Sequence, residues 1–130
     1  VVVAVARETR LIVGQAVVTH RSQAELQKLV DELPQAARCC TDGFTNYAEL
    51  IWPQPSEHVI SHLKQEIYTI EGVNADLRTY LGRLARRRRC FSRSIKALSK
   101  ALGLFTWYYN RRQRLINANP RFKSHLYLVF

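Results

Sequence analysis

Two carboxylates, Asp42 and Glu71, stand where side-chain chemistry could be staged in this chain of 130 residues. Asp42 follows "ARCCT", which reads as the end of a buried strand, and precedes Gly43 and the amphipathic run "TNYAELI". An acid there can be a turn residue, a helix cap or one arm of a metal site. Glu71, Asn74 and Arg78 fall at i, i+3 and i+7 of a helical segment. Arg78 then lies about 20° and Asn74 about 60° from Glu71 around the axis. All three border the apolar stripe of that helix, so Glu71 points along the surface of the sheet it covers. If the helix crosses near the end of the 38–41 strand, Glu71 approaches Asp42. Paired carboxylates suit Mg²⁺, a hard ion that takes oxygen ligands and keeps several waters. Two such ions about 4 Å apart can activate a water or a 3′-hydroxyl and stabilise a leaving oxygen, the chemistry of phosphoryl transfer. Holding both ions normally takes three carboxylates, and the early acids Glu8 and Glu25 sit in a turn and on a helix. An Asp-Gly is ordinarily a turn and a helix glutamate is ordinarily solvated, so the residues alone leave the site open.

The elements that must position these groups follow from hydrophobic pattern. "VVVAVA" and "LIVGQAVV" are β-branched runs joined by polar "RETR", a hairpin over residues 1–18. "SQAELQKLVDEL" has a serine cap, and Leu26, Leu29, Val30 and Leu33 at helical spacing, and Pro34 ends it. A short strand at "ARCC", a one- to two-turn helix at "TNYAELI" and a short strand at "HVIS" come next. A long helix is expected over about 65–88, with Ile67, Ile70, Leu77, Leu81 and Leu84 on one stripe. A last helix is expected over about 94–112, with Ile95, Leu98, Leu102, Phe105 and Tyr109 on one face, and an irregular tail from Leu115. Strands, helix, strand and more helices give an α/β arrangement.

Charge points to a partner. The net charge is +10, yet residues 1–77 carry −4 and residues 78–130 carry +14 with no acid at all. A step that sharp suggests a polyanion docking on the C-terminal half, with nucleic acid ahead of a membrane surface. Arg83, Arg86, Arg87, Arg88, Arg89 and Arg93 concentrate it in "RLARRRRCFSRS". Arginines also favour a helix C-terminus by dipole, but that does not explain 53 residues without an acid. Contacts of this kind hold DNA phosphates without reading sequence. Trp107, Tyr108 and Tyr109 could stack on bases, although at helical spacing such residues are more often core and interface. No run is long enough for a membrane helix, and the apolar start lacks the basic lead of a signal peptide. Cys39, Cys40 and Cys90 have no C-x-x-C spacing. They read as small buried hydrophobes in a reducing cytoplasm. His58 reads as structural or exposed. The chain has no methionine and opens on Val1, which is expected of a piece whose start lies upstream.

"RETRLIVGQAVV", "TDGFTNYAEL", "IEGVNADLRTYLGRLARRRRCFSRS" and "ALGLFTWYYN" together resemble the insertion sequence one family of bacterial transposases. The resemblance covers about residues 1–112, leaving 113–130 as a C-terminal tail. "TDG-x-x-x-Y" and "IE-x-x-N-x-x-LR" followed by "CFSRS" carry it. That family is similar to the aspartate–aspartate–glutamate transposases. The resemblance implies a ribonuclease-H-like mixed sheet with flanking helices. It makes Asp42 the second acid and Glu71 the third, both ligands of Mg²⁺ or Mn²⁺, with two ions in the intact site. It sets Asn74 and Arg78 beside the glutamate as DNA-binding positions, together with the arginines of 83–93. The first acid is expected on a strand before Val1, which leaves this piece N-terminally truncated and inactive alone. The family shows a basic and then a bulky residue after the glutamate, whereas Gly72 and Val73 stand here. The expected partner is double-stranded DNA, as element ends and target, bound by a homo-oligomer of the intact protein. No membrane role is expected, and the location is cytoplasmic, at the nucleoid of a bacterium or archaeon. Three rivals remain: a non-catalytic DNA-binding remnant of a mobile element, a ribonuclease-H-like nuclease, and a basic surface-binding module without chemistry.

Overall fold

In a computed structural model, residues 1–61, 64–81 and 94–121 are described. Four strands and four helices follow in the order β1 (Val2–Val5), β2 (Ile12–Ala16), α1 (Gln23–Asp31), β3 (Arg38–Thr41), α2 (Thr45–Ala48), β4 (Glu57–Ile60), α3 (Lys64–Tyr80) and α4 (Ile95–Ala118). The architecture is mixed α/β, with small sheets. β1 and β2 form an antiparallel hairpin, and β3 and β4 a parallel pair. Among the described residues the two pairs are separate sheets. One helix relates them, because α3 packs on both β1 and β3.

The hairpin is buried from both sides. Val3 and Val5 pack with α3 and α4 around Ile12, Val73, Leu77, Leu102, Phe105 and Tyr109. Val2 faces the other way, onto a second cluster built on Leu26, Val30 and Leu50. Strand alternation alone would put Ile12 on the same face as Gly14, toward α1. The register breaks between Ala4 and Val5, so Val5 pairs with Ile12 while Ala4 pairs with Gly14. That irregularity spends one extra residue, Val13, on β2 and turns Ile12 to the α3/α4 face. Gly14 keeps the α1 face flat: a Cβ there would run into Leu33 Cδ2 and crowd Leu29 Cδ1.

Side-chain amides fasten helices to backbone. Asn110 of α4 accepts the Ile12 N–H and donates to the Ile12 carbonyl, both at 2.8 Å. One α4 face extends that grip, since Asn117 donates to the Thr9 carbonyl at 2.9 Å and Thr106 donates to Gln15 Oε1. On α1, Gln27 donates to the Ile51 carbonyl at 2.8 Å and accepts the Ile51 N–H at 2.9 Å. Helices α1 and α4 are capped by serine, the first as expected. Ser22 accepts from the Glu25 N–H and Ser94 from the Ala97 N–H.

Several expectations are revised. The tail is not irregular at Leu115, because α4 continues to Ala118. Its last turns are held by the Gln113–Asn117 side-chain bond at i, i+4 and by the Asn117 tie to the hairpin. Ile95 lies on the expected apolar face of α4 yet is exposed, being at the helix start. The 38–41 strand is not buried: Arg38 and Cys40 are exposed and Cys39 and Thr41 half-buried. Among the described residues β3 has one strand neighbour, so little covers it. The cysteines are therefore not core hydrophobes there. Burial raises the Cys39 thiol pKa, against a hydrogen bond with Ser56 that lowers it. The described part of the long helix ends at Tyr80, and the expected stretch beyond Leu81 lies outside the described residues.

Candidate functional site

Asp42 leaves the sheet at the C-terminal end of β3, where the chain turns into α2. Its Oδ1 accepts the Phe44 N–H at 3.2 Å. This is the short aspartate turn that side chains of this type favour, and it sets the entry to α2, whose cap residue Phe44 is extended. The side chain is exposed, so the bond fixes the carboxylate without burying it. Around it, burial raises the Tyr47 pKa, Arg21 opposes that shift and the Asp42 carboxylate adds to it. The Arg21 guanidinium also lies 5.4 Å above the Phe44 ring.

Next to Asp42 in the chain, a side-chain bond ties β3 to β4. Thr41 Oγ1 and His58 Nε2 are 2.8 Å apart across the β3–β4 pair. His58 stacks on Trp52 with ring centroids 4.5 Å apart and planes 19° from parallel. Burial lowers the His58 pKa, which favours the neutral ring that shares a hydrogen bond with the threonine. The expected structural role of His58 is the one its contacts describe.

Glu71 is exposed near the middle of α3, Asn74 is half-buried and Arg78 is exposed near its end. Val73 and Leu77, between them in sequence, are in the core. That arrangement places Glu71, Asn74 and Arg78 outside the apolar stripe, on a helix that packs against β3, the strand that Asp42 follows. Among the described residues the one ion pair is between Arg38 and Glu57 at 3.9 Å, so neither Asp42 nor Glu71 is neutralised by a described cation. Their oxygens are the donor type that Mg²⁺ or Mn²⁺ takes. No group of three or more His, Cys, Asp or Glu is gathered to hold an ion among the described residues. Arg83, Arg86, Arg87, Arg88, Arg89 and Arg93 lie outside the described residues.

Sequence reasoning missed the amide clamp. The signal available for Asn110 was a neutral amide directly after buried Tyr109 and directly before Arg111 and Arg112. The aromatic trio is also divided. Tyr109 is 5 % exposed and packs on Phe105 with centroids 5.7 Å apart, whereas Trp107 is 56 % and Tyr108 37 % exposed.

No helix among the described residues is long and apolar enough to cross a membrane. A family model described as IS1 transposase matches residues 2–112. Comparisons with curated proteins and with solved structures return no match.

Proposed function

The chain belongs to the IS1 transposase family, and from that premise we propose that it forms part of a DNA-cleaving and strand-transferring domain of the ribonuclease-H-like, three-acid type. In this reading Asp42 and Glu71 are two of the three acids. The observation that carries it is that Glu71 sits on α3, which packs on β3, the strand that Asp42 directly follows, and that both side chains are exposed. Divalent ions bound there would supply Lewis-acid activation of a water or 3′-hydroxyl and stabilise the leaving oxygen. The protein's own part is to hold Asp42 through its Phe44 bond and to carry Glu71 on a helix anchored by Val73 and Leu77. Arg78, Asn74 and the arginines of 83–93 contact duplex phosphates, and the assembled enzyme is a homo-oligomer acting where DNA is. With two acids the chain alone binds DNA without cutting it.

A second reading, a DNA-binding chain without chemistry, is favoured by one observation: the described residues gather no group of three or more metal-ligating side chains. Mn²⁺ titration followed by electron paramagnetic resonance separates the two. One weak site lost in both Asp42→Asn and Glu71→Gln supports the catalytic reading. Asparagine can keep the turn bond to Phe44, so loss in that variant reports charge and not fold. Mn²⁺ uptake unchanged in both variants overturns it and leaves the DNA-binding reading.

A further inference from the structure

The outer face of α4 has a pattern that the three-acid chemistry does not use. At 100° per residue, Lys96, Lys100, Leu104, Trp107, Arg111 and Arg114 fall within an arc of about 80°. All six are exposed. The opposite face carries Leu102, Phe105 and Tyr109 into the core, so the docking of α4 on the hairpin fixes this arc toward solvent. It extends over about 27 Å from Lys96 to Arg114 at 1.5 Å per residue. α4 contains no acid, and among the described residues no carboxylate pairs with these four cations. Near the middle stands Trp107, with the Arg111 guanidinium 5.6 Å from its ring centroid. Tyr108 meets the indole edge-on, with centroids 4.7 Å apart and planes at 83°.

We propose that this face is a binding surface for single-stranded or unpaired DNA, with one base stacked on Trp107 and the phosphates held by Lys100, Arg111 and Arg114. Trp107 is exposed together with Leu104 and Tyr108, and such an aromatic patch gains free energy when a flat apolar partner covers it. A nucleobase is such a partner, and every base has a π-face, so stacking of this kind tolerates any sequence. Arg111 holds the indole in place and adds positive charge beside the base. Cations one to two turns away lie where a backbone leading into and out of the stacked nucleotide would run. A second copy of the chain is disfavoured, because a two-fold contact would set this cationic arc against itself. The inference rests on the DNA-binding part of the proposed function and adds a strand state and a residue to it.

The test uses the full chain and three fluorescein-labelled probes of equal length: a single strand, its duplex, and the same strand with its central bases removed to leave abasic sites. Trp107→Ala is expected to weaken single-strand binding roughly 5- to 150-fold, the effect of losing one stacked base. Duplex and abasic-strand binding should change less than about twofold, since their phosphates are still met. Trp107→Phe, which keeps a ring, should restore most of the single-strand affinity. Equal weakening on all three probes, or no change on any, overturns the stacking surface while leaving DNA binding intact. If wild type binds none of the probes, the DNA-binding reading fails and this inference falls with it. If Trp107→Ala splits a dimer in sedimentation and leaves single-strand binding unchanged, the face is a contact between copies and the proposal is wrong.

Discussion

Removing the Asn110 side chain should uncouple α4 from the hairpin, and the size of the effect follows from what Asn110 touches. Its amide meets both the N–H and the C=O of Ile12 at 2.8 Å. Ile12 is 4 % exposed and lies among Val73, Leu77, Leu102, Phe105 and Tyr109. Asn110→Ala therefore deletes two hydrogen bonds and leaves a backbone donor and acceptor in a place water reaches poorly. A buried polar group left unpaired costs about 1–3 kcal/mol. The bonds are half-buried, so the lower half of that range applies to each, and we expect a loss of about 2–4 kcal/mol. With a mid-range urea slope of about 2 kcal/mol per molar, the unfolding midpoint should fall by about 1–2 M at unchanged slope. Asn110→Asp is the sharper variant, because a carboxylate can still accept the Ile12 N–H but presents a lone pair to the Ile12 carbonyl. It should be no more stable than the alanine variant despite its closer shape. If Asn110→Ala shifts stability by less than about 0.5 kcal/mol, the low end for a single hydrogen bond, water must satisfy Ile12 equally well, and the clamp is decoration. A shift confined to the slope would mean a change in the unfolded chain.

Two further outcomes can be measured directly. His58 has its pKa lowered by burial, so the unfolded chain binds its proton more readily. That contribution to stability is complete above the ordinary histidine value near 6.5. It is lost as pH falls from there through the lower folded value, and melting scans from about one pH unit above that ordinary value to somewhat more than one below it should show a decline that shrinks in His58→Gln. Replacing Arg86, Arg87, Arg88 and Arg89 together with alanine should flatten the salt dependence of duplex binding by up to roughly four units of log–log slope, near 0.9 for each phosphate no longer neutralised. Parallel salt titrations would mean that these arginines do not meet phosphate.

The sequence by itself determined the local elements and the charge step. Serines at 22 and 94 cap the helices they begin, and β-branched runs form the hairpin, because caps and side-chain periodicity act within a few residues. The acid-free half from residue 78 is likewise a property of the chain alone, as is membership of the transposase family, carried by ordered motifs. Tertiary structure decided which surfaces were covered. Cys40 is exposed because β3 has a single strand partner among the described residues, not because of its own preference. Ile12 reaches the core through a one-residue irregularity that no alternation pattern reveals. Trp107 and Tyr109, two residues apart, are separated into solvent and core by the side on which α4 meets the hairpin. The same holds for the acids. Asp42 and Glu71 are visible as residue types, but only tertiary packing sets α3 against β3, the strand that Asp42 follows, since the relation between groups 29 positions apart in the chain is set by burial of other side chains, Val73 and Leu77 among them.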